Sequence, residues 1–173
     1  MLFYYQENYK IVTIRTAITL KNAIDVYNAQ EGSIKEQEIR QKSINALVDT
    51  GAWTMVINEA MQKELGLRVT RTDTGTLADG SQSMYNIAGP LVVTWKDRSA
   101  ICEALVLPGA EEALLGAIPL ESMDLIINPR KEEIIGAHGD QIIHSVKLLS
   151  KNQTLSNEWT LQTDRRVING RVF

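Results

Sequence analysis

The chain has 173 residues, of which 44% are hydrophobic and 23% charged, and its formal net charge is −3. This length fits one ordinary domain and excludes an enzyme that devotes a separate lobe to each half of its site. The composition is that of a globular protein, and without a basic excess we do not expect nucleic-acid binding. The single cysteine excludes an intramolecular disulfide framework and a multi-cysteine zinc site, and the two histidines leave little room for a His-rich metal centre.

Membrane and export signals are not evident in the sequence. No stretch approaches the roughly 20 consecutive apolar residues that span a bilayer. Residues 1–10 lack the basic start and the long apolar core of a secretion signal. Together with the single cysteine, Cys102, these features lead us to expect a cytoplasmic protein with no membrane partner.

The first half of the chain is predicted to contain three strands. Period-two alternation of β-branched residues indicates a strand over 11–20. The polar, charge-dense segment 22–42 is predicted to be a long surface connection with a short helix over 34–41. Strands over 44–48 and 53–57 follow.

A helix and two hairpins are predicted next. Asn58 has the side chain of a helix N-cap, and Gly66 is the residue type that ends a helix. An Asp-Gly pair between two strand-like segments is a strong hairpin signal. The expected hairpins are formed by strands 67–77 and 83–87 around 78–81, and by strands 90–95 and 100–107.

The remaining elements complete a mainly β fold. A short helix is predicted near Pro119, followed by a strand over 124–127 that ends before Pro129 and pairs with 133–135. Many short strands with turns every 8–12 residues or so are typical of a barrel or a sandwich, here with one or two short helices. Because the periodicity decays beyond about residue 147, we expect one domain over 11–147 and a C-terminal tail over 148–173.

One segment carries chemistry: an apolar strand ends in Asp49, Thr50, Gly51 and Ala52. An unpaired carboxylate at the edge of a core is costly, so Asp49 is either paired or functional. A phosphoaspartyl phosphatase needs a second aspartate where Gly51 stands, and a sugar-kinase phosphate loop needs Asp-x-Gly-Thr. An aspartic peptidase needs Asp-Thr/Ser-Gly after two apolar residues, and that pattern fits at every position.

The sequence resembles the retropepsin-like aspartic peptidases, the single-domain relatives of retroviral proteases, and it looks closest to the small bacterial-type members. The resemblance covers roughly 13–136, and its parts occur in family order. The active-site turn comes first, and a hairpin at the position of the family's flap follows, with Ala78, Asp79 and Gly80. Leu114, Leu115 and Gly116 then precede a short helix and the segment 124–129.

The resemblance implies a small closed β barrel and an aspartic endopeptidase that is active as a homodimer, with Asp49 as the single catalytic aspartate of each subunit. It also implies that the flap closes over an extended peptide or protein substrate, and that Leu114–Gly116 crosses behind the active-site turn. The implied mechanism needs no metal and no organic cofactor. The alternative is a catalytically silent module that keeps the fold for dimerisation or peptide binding.

A second literal Asp-Thr-Gly match occurs at Asp73, Thr74 and Gly75. Polar residues precede it, so no buried strand delivers this aspartate, and it lies too close to Asp49 to belong to a second lobe. We expect a turn leading into the flap hairpin. Two other residues are given structural roles: Trp53 in the core or an interface, and Cys102 as a small buried hydrophobe.

Overall fold

The computed structural model describes residues 13–76 and 82–142, all of which belong to one compact unit. The strands in these residues are β1 (Arg15–Asn22), β2 (Gln41–Val48), β3 (Met55–Ile57), β4 (Arg68–Thr76), β5 (Gln82–Trp95), β6 (Arg98–Val106), β7 (Leu114–Leu115), β8 (Leu125–Asn128) and β9 (Glu133–Gly136). The helices are α1 (Ala23–Gln30), α2 (Glu59–Glu64) and α3 (Ala117–Ser122). None of these helices is long and apolar enough to cross a membrane.

Seven strands form one sheet in the order β1-β2-β7-β3-β6-β5-β4. Because β1 also pairs with β5, the pairing order returns to its starting strand, and β4 lies outside this ring. The predicted pairing of β8 with β9 is confirmed, and these two strands form a separate antiparallel sheet. The prediction of a mainly β protein is therefore confirmed, although the described residues contain three short α-helices instead of one or two. The predicted domain limits at 11 and 147 lie outside the described residues.

The core lies inside the ring of strands. Alternate residues of β5 and β6 point inward, and each fully buried aliphatic side chain contributes about 1.5–3 kcal/mol to the free energy of unfolding. The largest fully buried aliphatic side chains are Leu20, Met55, Ile57, Leu65, Ile87, Leu91, Leu115 and Met123. Trp95 closes one side of the core, and its indole nitrogen donates a hydrogen bond to the hydroxyl of Thr16 at 2.9 Å.

Helix α2 begins and ends where the sequence predicts. The Asn58 side chain accepts a hydrogen bond from the backbone nitrogen of Met61 at 2.9 Å, as expected of an N-cap. Gly66 has a φ of +58°, in the left-handed region that glycine adopts readily at the end of a helix.

The segment 22–42 differs from its prediction. Helix α1 begins directly after β1, because the Asn22 side chain accepts hydrogen bonds from the backbone nitrogens of Ile24 and Asp25. The predicted helix over 34–41 is only a 3₁₀ turn at Glu36–Glu38, and β2 already begins at Gln41. Hydrophobic periodicity does not reveal α1, because its one buried residue is the carboxylate Asp25.

Strand β5 is also longer than predicted. The expected strands over 83–87 and 90–95 are one strand of 14 residues, which continues through Pro90. Proline has no backbone N–H to donate to a neighbouring strand, so it is tolerated where the ladder is irregular. The pairing of β5 with β6 shifts register between Ala88 and Leu91, which accommodates Pro90.

An ion pair between the buried Asp25 and the half-exposed Arg40 joins α1 to the residue directly before β2. Asp25 accepts hydrogen bonds from Arg40 at Nε (2.6 Å) and Nη2 (2.7 Å), and also from the Arg40 backbone nitrogen. The Arg40 guanidinium holds the pKa of Asp25 below its usual value, against the opposing effect of burial. Asn22 links the start of α1 to the end of α2, since its side chain donates to the carbonyls of Leu65 and Gly66.

We expect Asp25→Asn to lower the free energy of unfolding by about 1–3 kcal/mol at pH 7, because Arg40 loses its charged partner. Since the pKa of Asp25 is lowered by folding, the pair stabilises fully above the unfolded pKa of about 3.9, and this stabilisation is lost as the pH falls through the folded pKa. Urea titrations at pH 7 and pH 3, at equal protein concentration, should show the difference shrinking at the lower pH.

The control for this variant is Glu64→Gln, which removes the exposed partner of Lys42 and should cost less than about 1 kcal/mol. A difference between Asp25→Asn and the wild type that stays constant from pH 7 to pH 3 would contradict the assigned role of the ion pair.

Candidate active site

Strand β2 delivers Asp49 into a tight turn. One carboxylate oxygen of Asp49 accepts a hydrogen bond from the backbone nitrogen of Gly51 at 2.8 Å, and the Asp49 carbonyl accepts one from Ala52 at 3.2 Å. A Cβ atom at Gly51 would lie 3.0 Å from the same carboxylate oxygen, tighter than an ordinary contact. The turn thus fixes the direction of the Asp49 side chain, which is half-buried, while Thr50 is exposed.

The segment Leu114–Gly116 runs behind this turn. Leu114 and Leu115 pair in parallel with the last residues of β2, and the backbone nitrogen of Asp49 donates to the carbonyl of Leu115 at 3.1 Å. Gly116 packs directly against the backbone after the turn, because a Cβ atom there would lie 2.1 Å from the Thr54 carbonyl oxygen. Two segments far apart in the sequence are therefore brought together by backbone contacts.

The carboxylate of Asp49 faces an open cleft of about 320 Å³. The described walls of the cleft are mostly apolar, and within 13–76 and 82–142 Asp49 is the one carboxylate that lines it. The lining residues are Asp49, Gly51, Ala52, Trp53, Thr54, Val56, Tyr85, Leu105, Leu107 and Leu114. A carboxylate on a rigid turn at the bottom of an apolar cleft can accept a proton from a group that the cleft holds against it.

Residues 36–122 match the model of the family described as "gag-polyprotein putative aspartyl protease". This match covers just over half of the chain and includes Asp49, the strands β4 to β6, the Leu114–Gly116 segment and α3. The chain belongs to this aspartyl protease family. The match begins at residue 36, so β1 and α1 precede it, although the predicted resemblance extended from 13 to 136. No curated protein matches the chain.

Only the base of the predicted flap hairpin lies within the residues that the structure describes. Strands β4 and β5 pair from Arg68 opposite Gly89 to Thr76 opposite Gln82. Ala78, Asp79 and Gly80, which were predicted to form the flap tip, lie outside the described residues. Tyr85 on β5 lines the cleft. The position of the flap tip stays a prediction.

The second Asp-Thr-Gly match lies in a strand and not in the predicted turn. Asp73 lies within β4, opposite Tyr85, and its carboxylate pairs with Arg71 at 2.9 Å. Gly75 makes room for the Tyr85 side chain, since a Cβ atom there would lie 1.0 Å from the phenol oxygen. The glycine of this match therefore has a structural role, which is to accommodate an aromatic wall of the cleft.

Cys102 is confirmed as a small buried hydrophobe. Burial raises the pKa of its thiol to about 11, so the thiol remains protonated near neutral pH and is not poised as a nucleophile. Of the two roles predicted for Trp53, the core role is wrong, because the residue is 45% exposed in the cleft wall. The interface role stays a prediction.

Several cleft residues were not found by sequence reasoning. Leu105 and Leu107 line the cleft, and they alternate along the chain with the buried Ala104 and Val106. This alternation was a visible signal that one face of the strand is half-exposed. Tyr85 had no such signal, because its position depends on the pairing of β5 with Gly75 in β4.

Proposed function

We propose that this chain is an aspartic endopeptidase, built on a small closed β barrel and active as a homodimer with one catalytic Asp49 in each subunit. The observation that carries the proposal is the Asp49 carboxylate, held by the Gly51 nitrogen at the bottom of an open apolar cleft, in a member of an aspartyl protease family. The peptidase domain would span 11–147, followed by the tail at 148–173.

The need for a second subunit follows from the number of acids in the cleft. Aspartic peptidases use two carboxylates, and Asp49 is the one carboxylate among the described lining residues. Asp73 does not supply the other, since it lies in β4 with Arg71 as its partner. In a two-fold symmetric dimer, an identical patch from each subunit meets its mate, so Asp49 of each copy would lie beside the axis.

The mechanism follows from the electrostatics of the pair. Two carboxylates about 3 Å apart cannot both be ionised, so they share one proton. The ionised carboxylate accepts a proton from a bound water, which attacks the scissile carbonyl carbon. The protonated carboxylate donates to the carbonyl oxygen, and a proton then passes to the leaving amine. This mechanism uses neither a metal nor an organic cofactor.

The substrate would be an extended peptide or protein segment. Such a segment can add backbone hydrogen bonds along strand edges while its side chains enter pockets on alternate sides. The hairpin tip at Ala78, Asp79 and Gly80 would close over it and exclude water. The contacts of Leu114–Gly116 support the proposal that this segment keeps the active-site turn in place.

The proposal is tested by measuring peptide cleavage and sedimentation over the same range of protein concentrations. Activity per chain should fall as dilution converts dimer to monomer, because each half of the site is inactive alone. A hydroxyethylene-type transition-state mimic should bind the dimer and inhibit it. Full activity in a sample that sediments as a monomer would contradict the proposal. Tight binding of the mimic without cleavage of any peptide in a library would favour the silent binding module instead.

A further inference from the structure

Trp53 is a large aromatic residue that remains 45% exposed although it directly follows the turn that carries Asp49. It lines the same cleft as the Asp49 carboxylate. Trp95, in contrast, is 7% exposed, and its indole donates a hydrogen bond to Thr16. Trp53 is therefore not part of the core, which leaves the predicted subunit interface and the cleft itself as places for its ring.

Hydrogen bonds hold the backbone at Trp53 and at the residues before and after it. The carbonyl of Ala52 accepts a hydrogen bond from Ala117 at 2.8 Å, and the carbonyl of Trp53 accepts one from Ile118 at 3.0 Å. The next residue, Thr54, is buried, and its hydroxyl donates to the backbone of β6. Since this backbone is already ordered, a ligand that contacts the ring does not lose affinity by ordering a loop.

The surroundings of the ring favour an apolar ligand group. Apart from Asp49, none of the cleft-lining residues that the structure describes is an acidic or basic residue. A negatively charged side chain entering beside Trp53 would lose its water and find no cationic partner among the described lining residues. An aromatic side chain would instead gain offset stacking on the indole, with Tyr85 and Leu107 as further apolar walls.

We propose that Trp53 is a specificity-determining residue that selects substrates carrying an aromatic side chain near the scissile bond. The inference rests on the proposed function, because the ligand in question is the peptide that Asp49 would cleave. The ring, carried on this hydrogen-bonded backbone, acts as a platform that holds the substrate side chain while the substrate backbone passes the Asp49 carboxylate.

The test uses two peptide sets that are identical except for one scanned position, which carries phenylalanine in one set and alanine in the other. For the wild type, at one scanned position the phenylalanine peptide should be cleaved with a kcat/KM about tenfold or more higher than that of the alanine peptide. Trp53→Ala should bring this ratio to within about threefold of unity, and Trp53→Phe should preserve most of it. The control Tyr27→Ala removes a 62% exposed aromatic residue from α1, outside the cleft, and should not change the ratio.

The preference for phenylalanine over alanine can also be measured as a ratio of dissociation constants on the Asp49→Asn protein. Because binding requires no turnover, this measurement tests the role of Trp53 even if the proposed peptidase activity is wrong. A phenylalanine preference that is lost in the double variant Asp49→Asn/Trp53→Ala supports the role of Trp53, including where the wild type cleaves no peptide. Three results would overturn it: no preference in the wild-type cleft, a preference that survives Trp53→Ala, or a Trp53→Ala chain that sediments as a monomer where the wild type is dimeric.

Discussion

Replacing Asp49 by asparagine should abolish peptide cleavage and leave the fold and the dimer intact. The asparagine oxygen can still accept the hydrogen bond that Gly51 donates to Asp49, so the turn keeps its geometry. An amide, however, cannot accept the proton of the attacking water or hold the shared proton. We expect kcat/KM to fall by about 10⁴-fold or more, measured with a peptide that the wild type cleaves.

The matched control for this variant lies in the same chain. Asp73→Asn makes the same chemical change in the second Asp-Thr-Gly match, where the carboxylate pairs with Arg71 on an exposed strand. We expect it to retain activity and to change the free energy of unfolding by less than about 1 kcal/mol. Cleavage that persists in Asp49→Asn, or that disappears in Asp73→Asn alone, would contradict the assignment of the catalytic aspartate.

The tight turn that follows β2 can be predicted from the sequence because its determinants are local. Ala46, Leu47 and Val48 form the end of a strand, and Gly51 permits the close contact with the Asp49 carboxylate. The hairpins, the N-cap at Asn58 and the pairing of β8 with β9 are likewise set by residues close together in the chain. Such features can be inferred without knowledge of the tertiary fold.

The rest depends on contacts between distant segments. The role of Gly75 follows from the position of Tyr85 across the hairpin, which sequence spacing alone does not specify. Helix α1 is stabilised by Asn22 and by the Asp25–Arg40 pair, which show no apolar periodicity. The approach of Gly116 to the active-site turn was implied by family resemblance and could not be derived from composition or spacing. Most of the features that sequence analysis missed therefore depend on contacts between segments that are far apart in the sequence.

Substituting Gly116 by alanine should destabilise the fold and displace the active-site turn. The added methyl would lie 2.1 Å from the Thr54 carbonyl oxygen and 2.6 Å from that of Ala52, and both are backbone atoms that cannot rotate away. The φ of Gly116 is −86°, so the cost arises from close packing and not from backbone conformation. We expect the free energy of unfolding, measured by urea titration, to fall by about 3 kcal/mol or more.

The activity of Gly116→Ala should fall by more than the loss of folded protein alone would cause. Relieving the clash requires the 114–116 segment to move away from the turn, which weakens the hydrogen bonds from Asp49 to Leu115 and from Ala117 to Ala52. A shift of about 1 Å in a catalytic group can reduce the rate about 100-fold, so folded Gly116→Ala protein should be strongly impaired.

Gly89→Ala is the control for this packing argument, because a Cβ atom there would make only ordinary contacts of 3.4 and 3.5 Å with Glu103. Both variants add one methyl group to a buried glycine in the chain, but only one of them places it against the backbone behind Asp49. If the two variants unfold at the same urea concentration and cleave peptides equally, then the contact between Gly116 and the turn does not position the catalytic aspartate. If only Gly116→Ala loses stability and cleavage activity, the 114–116 segment is what keeps the Asp49 turn in position.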